Sequence, residues 1–269
     1  MYFQSLLALA VVLPAALACP QHNTNKKGKR AAAPSGNTTT DWAYEASYNW
    51  GQINEEYELC QTGTQQAPIA LFEKNGLSLN HNPTFNYPSS VKGALSNWGY
   101  GPAFTVATDG DWTKHPSFSY DNVTLYLAGW HIHAPADHSV NGDRSKAEMH
   151  FVHADSAGNP AAVLAFRLDP GTSDNDFLSQ LPPMVGHRET QRTEDIAINM
   201  IHALKSVHNF NEFWTYRGSL TSPPCTEGIR FFVARQVMYT GVKQMQDILR
   251  ASTYSARAEQ EVWQHRINE

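Results

Sequence analysis

Five of the chain's twelve histidines fall inside one stretch of 27 residues, GWHIHAPADHSVNGDRSKAEMHFVHAD, at 129–155. That density of imidazole restricts the fold, because each buried ring nitrogen needs a partner. The flanks of the stretch read as strands. LYLAGWHIH, at 125–133, follows the turn-like pair Asp121 and Asn122 and is dominated by Leu, Tyr and Trp. Residues two apart in a strand share a face, so His131 and His133 project together and Ile132 projects the other way. In AEMHFVH, at 147–153, Glu148, His150 and Val152 share one face. Met149, Phe151 and His153 share the other, which sets His153 apart from His150. The link between the strands holds Pro135 and the Asn141-Gly142-Asp143 turn. The two strands can therefore lie side by side with three imidazoles converging.

Three neutral imidazoles with a fourth position open form the donor set of a catalytic zinc site, whereas structural sites close that position with thiolate. Glu148 is placed to accept from the ring nitrogen of His150 that a metal leaves free. The alternative is a set of histidines partnered in the core or displayed at the surface, and His-x-His alone does not separate the two.

The rest of the chain suits a β-rich host. Its 269 residues are 41% hydrophobic and 17% charged, enough for one large core or two small ones and too apolar for disorder. Gly and Pro are spread along the chain between short β-branched and aromatic runs. A formal net charge of -5 lacks the basic footprint of a nucleic-acid binder.

Residues 1–18, MYFQSLLALAVVLPAALA, have the shape of a secretory signal peptide, with a cleavage candidate after Ala18 but no Lys or Arg at the start. A short membrane anchor is the alternative, although the run is shorter than the about 20 apolar residues a bilayer needs. No other stretch is long and apolar enough to cross a membrane, and the polar VWQHRINE at the end argues against a lipid anchor. Residues 19–40 read as a linker or pro-segment, in which KKGKR is a dibasic processing site or a solvated charge run. The folded domain is expected over 41–269. In a secreted chain Cys60 and Cys225 form the natural disulfide pair, with Cys19 at the signal junction. Closing a loop of about 165 residues is worth about 5 kcal/mol on the chain-entropy model. Asn37 (NTT) and Asn122 (NVT) are glycosylation acceptors suited to the same compartment.

These residues resemble the α-class carbonic anhydrases over most of the chain, from about Trp50 to Gln260. CQTGTQQAPIAL at 60–71 is similar to the family's early Cys-containing segment, and HIHAPADHSVNG with AEMHFVH is similar to its zinc-ligand region. AAVLAFRL matches a core strand, and YRGSLTSPPCTEG at 216–228 is close to the family's most recognisable motif. The resemblance implies a mixed α/β, β-dominated single domain around a large, twisted, mostly antiparallel central sheet with short peripheral helices. It also implies the secreted type, joined through Cys60 and Cys225. The activity implied is reversible hydration of carbon dioxide to bicarbonate and a proton at a Zn²⁺ held by His131, His133 and His150. Zinc brings the pKa of its water to about 7, a value for which carbonic anhydrase is itself the reference case.

The same resemblance assigns further roles. Thr221 accepts a hydrogen bond from the nucleophile, and Asp137, in the place of the carboxylate behind it, keeps the threonine proton pointing away from the metal. Ser222 lies beside the site. Val152, Val163, Leu220 and Phe231 line the apolar wall where carbon dioxide docks. Glu148 supports His150, and His138 and Tyr216 complete a buried network behind the metal.

The chain departs from the family pattern at four places. Asp137 replaces a usual Glu, Gly129 a Gln that supports the first zinc histidine, and Phe231 a Trp. NWGYGPAFTV lacks the proton-shuttle histidine, and Tyr100 or Pro102 takes its place. The remaining histidines (22, 81, 115, 187, 202, 208 and 265) read as solvated or locally bonded. A working secreted enzyme is the leading reading, ester hydrolysis a side activity, and a zinc-containing binding protein with little turnover the competing one. A homodimer is compatible with the sequence.

Overall fold

The computed structural model describes residues 41–269. The signal segment, the linker with its KKGKR run, Cys19, His22 and Asn37 lie outside the described residues. Thirteen strands follow in order: β1 (Ala70–Leu71), β2 (Thr84–Asn86), β3 (Val91–Asn97), β4 (Pro102–Val106), β5 (Ser117–Tyr120), β6 (Val123–His133), β7 (Ser139–Val140), β8 (Ala147–Ala154), β9 (Pro160–Gly171), β10 (Thr193–Ile198), β11 (Phe213–Ser219), β12 (Glu227–Ala234) and β13 (Met238–Gly241). Eleven of them form one sheet with the path β10-β3-β4-β6-β8-β9-β12-β11. In it β5 and β2 continue from β6, and β13 lies beside β9. Within this sheet only the β9–β12 and β9–β13 pairs are parallel. β1 and β7 form a small parallel pair of their own. The α-helices are short: Trp50–Ile53, Leu59–Thr62, Ile201–Ser206 and Val242–Ala251. The β-dominated, mostly antiparallel architecture is the expected one. No helix among the described residues is long and apolar enough to cross a membrane.

Strand alternation divides the interior into two layers. Met149 and Phe151 of β8, Leu164, Phe166 and Leu168 of β9, and Phe232 of β12 face a large core, closed by Met200, Leu204, Met245 and Ile248 from the helical side. The intervening residues Val152, Val163, Ala165, Phe231 and Val233 face a smaller core on the other side of the sheet. In β6 a strict period of two would put Leu125 and Leu127 on the same face as His131 and His133. The structure resolves the conflict with a register shift against β8 between Leu127 and Gly129. After that bulge Trp130 and Ile132 join Leu125 and Leu127 in the large core, and the two histidines turn to the opposite face. Gly129 is required there by crowding: a Cβ would stand 2.0 Å from the carbonyl oxygen of Phe104 on β4.

Cys60 and Cys225 are joined by a disulfide with Cα atoms 5.0 Å apart. Together with Trp42, Tyr44, Trp50, Tyr57, Trp98 and Ala103 they form a third cluster, built where the first described residues meet the main sheet. Asn122 is exposed at the turn joining β5 to β6, in a left-handed conformation with φ 62°.

His153 points into the large core. Its Nε2 lies 2.5 Å from the Tyr87 hydroxyl, and its ring meets Phe118 edge-on. Burial pushes its pKa down to about 3. The unfolded chain therefore takes up a proton between about pH 6.5 and 3 that the native chain refuses. The stability tied to His153 is complete above pH 6.5 and falls as the pH drops, by up to about 1.4 kcal/mol per pH unit. Urea unfolding of the parent and of His153→Gln at pH 6.5 and pH 5 should show the parent losing about 2 kcal/mol more than the variant over that interval. Equal losses would show that His153 is already protonated in the native state.

Candidate metal centre

The antiparallel pairing of β6 and β8 sets His131 opposite His150 and His133 opposite Glu148. All three imidazoles are buried, and their ligand nitrogens lie within 4.8 Å of one another. The Nε2 atoms of His131 and His133 are 3.0 Å apart. A tetrahedral zinc at 2.0–2.1 Å from each nitrogen sets ligands about 3.3 Å apart, so the donors fit a metal with small adjustment. Their protonation state fits too. Burial, then the neighbouring His133 and His150, push His131 well below the ordinary imidazole range. Burial lowers His133 as well, against an opposing pull from Asp137. Both rings are neutral at pH 7, as a ligand must be.

The nitrogens turned away from the cluster fix the rings. His133 donates from Nδ1 to the Ser255 carbonyl at 2.7 Å. His150 donates from Nε2 to Glu148 Oε1 at 2.7 Å, which leaves Nδ1 toward the cluster. Glu148 also receives the His138 backbone N–H at 2.9 Å and the His138 ring at 2.5 Å. His138 in turn accepts from the Tyr216 hydroxyl at 2.7 Å. Burial works against ionisation of Glu148, but His138 and then His150 outweigh it and hold its carboxyl well below the usual range. Burial, with Glu148 and Asp137 behind it, keeps the Tyr216 hydroxyl protonated. The buried Nδ1 of His131 has no hydrogen-bond partner among the described residues.

The turn that follows β11 carries Thr221 and Ser222, both buried. It is closed by the Cys225 N–H on the Ser222 carbonyl at 2.8 Å and by the Leu220 N–H on Thr226 at 2.9 Å. The disulfide ties this turn to the helix bearing Cys60. Phe231 stacks on Tyr216 at 5.1 Å and meets His138 and His150 edge-on. Val152, Val163 and Phe231 belong to one apolar cluster with Leu220 packed against it.

One expected contact is absent. Asp137 gives Oδ1 to the Arg257 backbone N–H at 2.8 Å. Its Oδ2 has no hydrogen-bond partner and lies 3.6 Å from His133 Nε2, so no hydrogen bond joins Asp137 to Thr221. The Asp side chain is one methylene shorter than Glu, and one of its oxygens is taken by the Arg257 backbone N–H.

Three residues of the site escape sequence reasoning. Ser255 holds His133 through its carbonyl and the Ala134 N–H through its hydroxyl. Arg257, fully buried, donates to the carbonyls of Ala67 at 2.7 Å and Cys60 at 3.2 Å and lies over the Trp50 ring. Burial lowers its pKa to about 10, with Asp137 opposing. Trp98 meets His131 and His133 at 5.4 and 5.3 Å between ring centres. The isolated Gly99 and Gly101 around Tyr100 are the only local signal for that close approach, and the C-terminal stretch offers none. Among the other histidines, His265 is fully buried and bonds to the Gln66 carbonyl at 2.7 Å, a distant rather than local partner. His115 is buried on the Leu127 carbonyl at 2.8 Å, and His81 contacts Asp121.

The family model for eukaryotic-type carbonic anhydrase matches residues 45–268. A carbonic anhydrase of Klebsiella pneumoniae is 28% identical over 207 residues, covering 76% of this chain and 80% of that one. Alpha carbonic anhydrase 4 of Arabidopsis thaliana is 30% identical over 201 residues, covering 73% and 70%. The alpha-carbonic anhydrase of Thermovibrio ammonificans, solved with the inhibitor sulfanilamide, has the same fold, with a TM-score of 0.71 at 24% identity over 88% of this chain and 99% of that one. With the family match running through nearly all of the described residues, and through the strands that bring the three histidines together, this chain belongs to the eukaryotic-type carbonic anhydrase family.

Proposed function

We propose that the chain catalyses reversible hydration of carbon dioxide as a secreted zinc enzyme, with His131, His133 and His150 as the metal ligands. The observation that carries this reading is the convergence of three buried imidazoles, two of which hold their outer nitrogens on fixed acceptors. Zinc in such a set supplies Lewis acidity that brings the ionisation of water into the neutral range, the effect for which carbonic anhydrase is the reference case.

The chain's own residues supply the rest. Val152, Val163, Leu220 and Phe231 offer a dry wall to a small apolar substrate. Thr221 accepts from the nucleophile's proton and so aims its lone pair at the substrate carbon, and Ser222 lies beside it. Thr221 must then donate its own O–H as a hydrogen bond to an acceptor, and the unpaired Oδ2 of Asp137 is the nearest in role, although the two are not bonded. Glu148, His138 and Tyr216 hold His150 in one tautomer. The same nucleophile serves activated esters as a side reaction. The disulfide supports passage through an oxidising compartment, where the exposed Asn122 is a glycosylation acceptor. The missing bond between Thr221 and Asp137 is the one feature favouring a zinc-containing binding protein with little turnover, and the intact ligand set favours the enzyme.

His131→Ala should abolish both hydration and one-to-one zinc retention, because one of three protein ligands is lost. Full zinc content with parental turnover in that variant would exclude His131 as a ligand. Asp137→Ala should lower kcat/KM about 10-fold or more, whereas Asp137→Glu, which restores the missing methylene, should keep or raise it. Parental kcat/KM in Asp137→Ala would mean that the carboxylate does not orient Thr221.

Proton release should depend on external buffer. Tyr100 is packed among Trp42, Tyr44 and Trp98, its hydroxyl donating to the Trp42 carbonyl at 3.3 Å, and Pro102 is buried. A phenol titrates near about 10 and proline not at all, so neither exchanges protons quickly at pH 7. Stopped-flow measurement at fixed ionic strength should show kcat rising with imidazole-type buffer while kcat/KM stays nearly constant. A high kcat already flat from about 1 mM buffer upward would mean that another group carries the proton.

A further inference from the structure

His133 and His150 each hold the outer ring nitrogen on a fixed acceptor, and His131 does not. No residue at position 129 can supply that acceptor, because the β4 backbone fills the space a side chain would need. His131 must be oriented by something else, and among the described residues one aromatic ring from outside the ligand set, that of Trp98, packs on it. The Trp98 indole stands edge-on to His131 at 5.4 Å and 73°, and edge-on to His133 at 5.3 Å and 62°. Its Nε1–H donates to the Ile132 carbonyl at 3.2 Å, the peptide between the two histidines. The indole therefore grips the His-x-His unit at both rings and at the backbone joining them. It is itself fixed: its backbone N–H binds the Gly101 carbonyl at 3.0 Å, and Tyr44 and Tyr100 pack on it at 6.2 and 5.0 Å.

We propose that Trp98 is a positioning residue that holds His131 in its ligating orientation by ring packing, in place of a hydrogen-bond acceptor. This rests on the reading of His131, His133 and His150 as the metal ligands. An edge-to-face ring contact limits rotation about the Cβ–Cγ bond much as an acceptor does, but it sets no tautomer. The tautomer of His131 follows instead from its Nε2 facing the cluster.

The test is zinc affinity by chelator competition on folded protein, with the visible spectrum of the Co²⁺-substituted form reporting ligand geometry. Trp98→Leu removes both the ring and the N–H donor and should weaken zinc binding 10- to 100-fold, the range typical of partners that orient metal ligands, with an altered Co²⁺ spectrum. Trp98→Phe keeps a ring without the donor and should lose about 3-fold. A role confined to packing would lower the melting temperature and leave affinity and spectrum unchanged. Affinity within 2-fold of the parent with the same spectrum in Trp98→Leu overturns the proposal. If Trp98→Leu does not fold, Trp98→Met, which keeps bulk without a ring, carries the same test, and an unchanged affinity and spectrum there overturns the proposal. Failure of the parent to bind one zinc would instead remove the reading of the ligands, so the two failures are distinguishable.

Discussion

The site depends first on the pairing of β6 with β8. That register places His131 across from His150 and Glu148 across from His133, so the three histidines and the carboxylate that steadies one of them come from adjacent rungs of one ladder. A slip of one residue would send Met149 and Phe151 to the site face and His150 to the core. The large core opposes such a slip with every apolar side chain that β8 and β9 commit to it. Hydrophobic burial on one face of the sheet thus fixes the histidine cluster on the other.

The second constraint is closure from both ends of the domain. Arg257 joins Cys60 and Ala67 near the start of the described chain to Asp137 beside the site. Ser255, two residues earlier, holds His133. The disulfide draws the Thr221 turn to the same region. A buried guanidinium left without partners carries a desolvation penalty of several kcal/mol. Arg257 is therefore stable only when all of these segments have arrived, which makes the site a product of the finished fold rather than of the β6–β8 hairpin alone.

How much of this is legible in the sequence follows from how local each signal is. The two strands and their facing histidines are readable because period-two alternation is a property of a few neighbouring residues. The bulge in β6 is marked only by Gly129 inside an otherwise bulky run, a sign that does not say which way the parity turns. The motif at 216–228 places Thr221 and Ser222 through family resemblance. That resemblance carries no information on whether Asp137 reaches Thr221, since this depends on how the Arg257 backbone takes the other oxygen. Ser255, Arg257 and Trp98 act through contacts more than 30 residues distant in the chain, with no pattern of their own to announce them.

The unpaired polar atoms of the site point in one direction. His131 Nδ1, Asp137 Oδ2 and Ser222 Oγ are all buried without hydrogen-bond partners among the described residues. Each such group costs about 1–3 kcal/mol for as long as it stays unpaired. Around them the supporting contacts are redundant: Glu148 is bonded three times, His138 at both ring nitrogens and its backbone, Arg257 to four different residues. Rigid neighbours around the unpaired oxygens of Asp137 and Ser222 leave those two atoms with hydrogen-bonding capacity in hand. This is how preorganisation and residual hydrogen-bonding capacity coexist within a few ångströms.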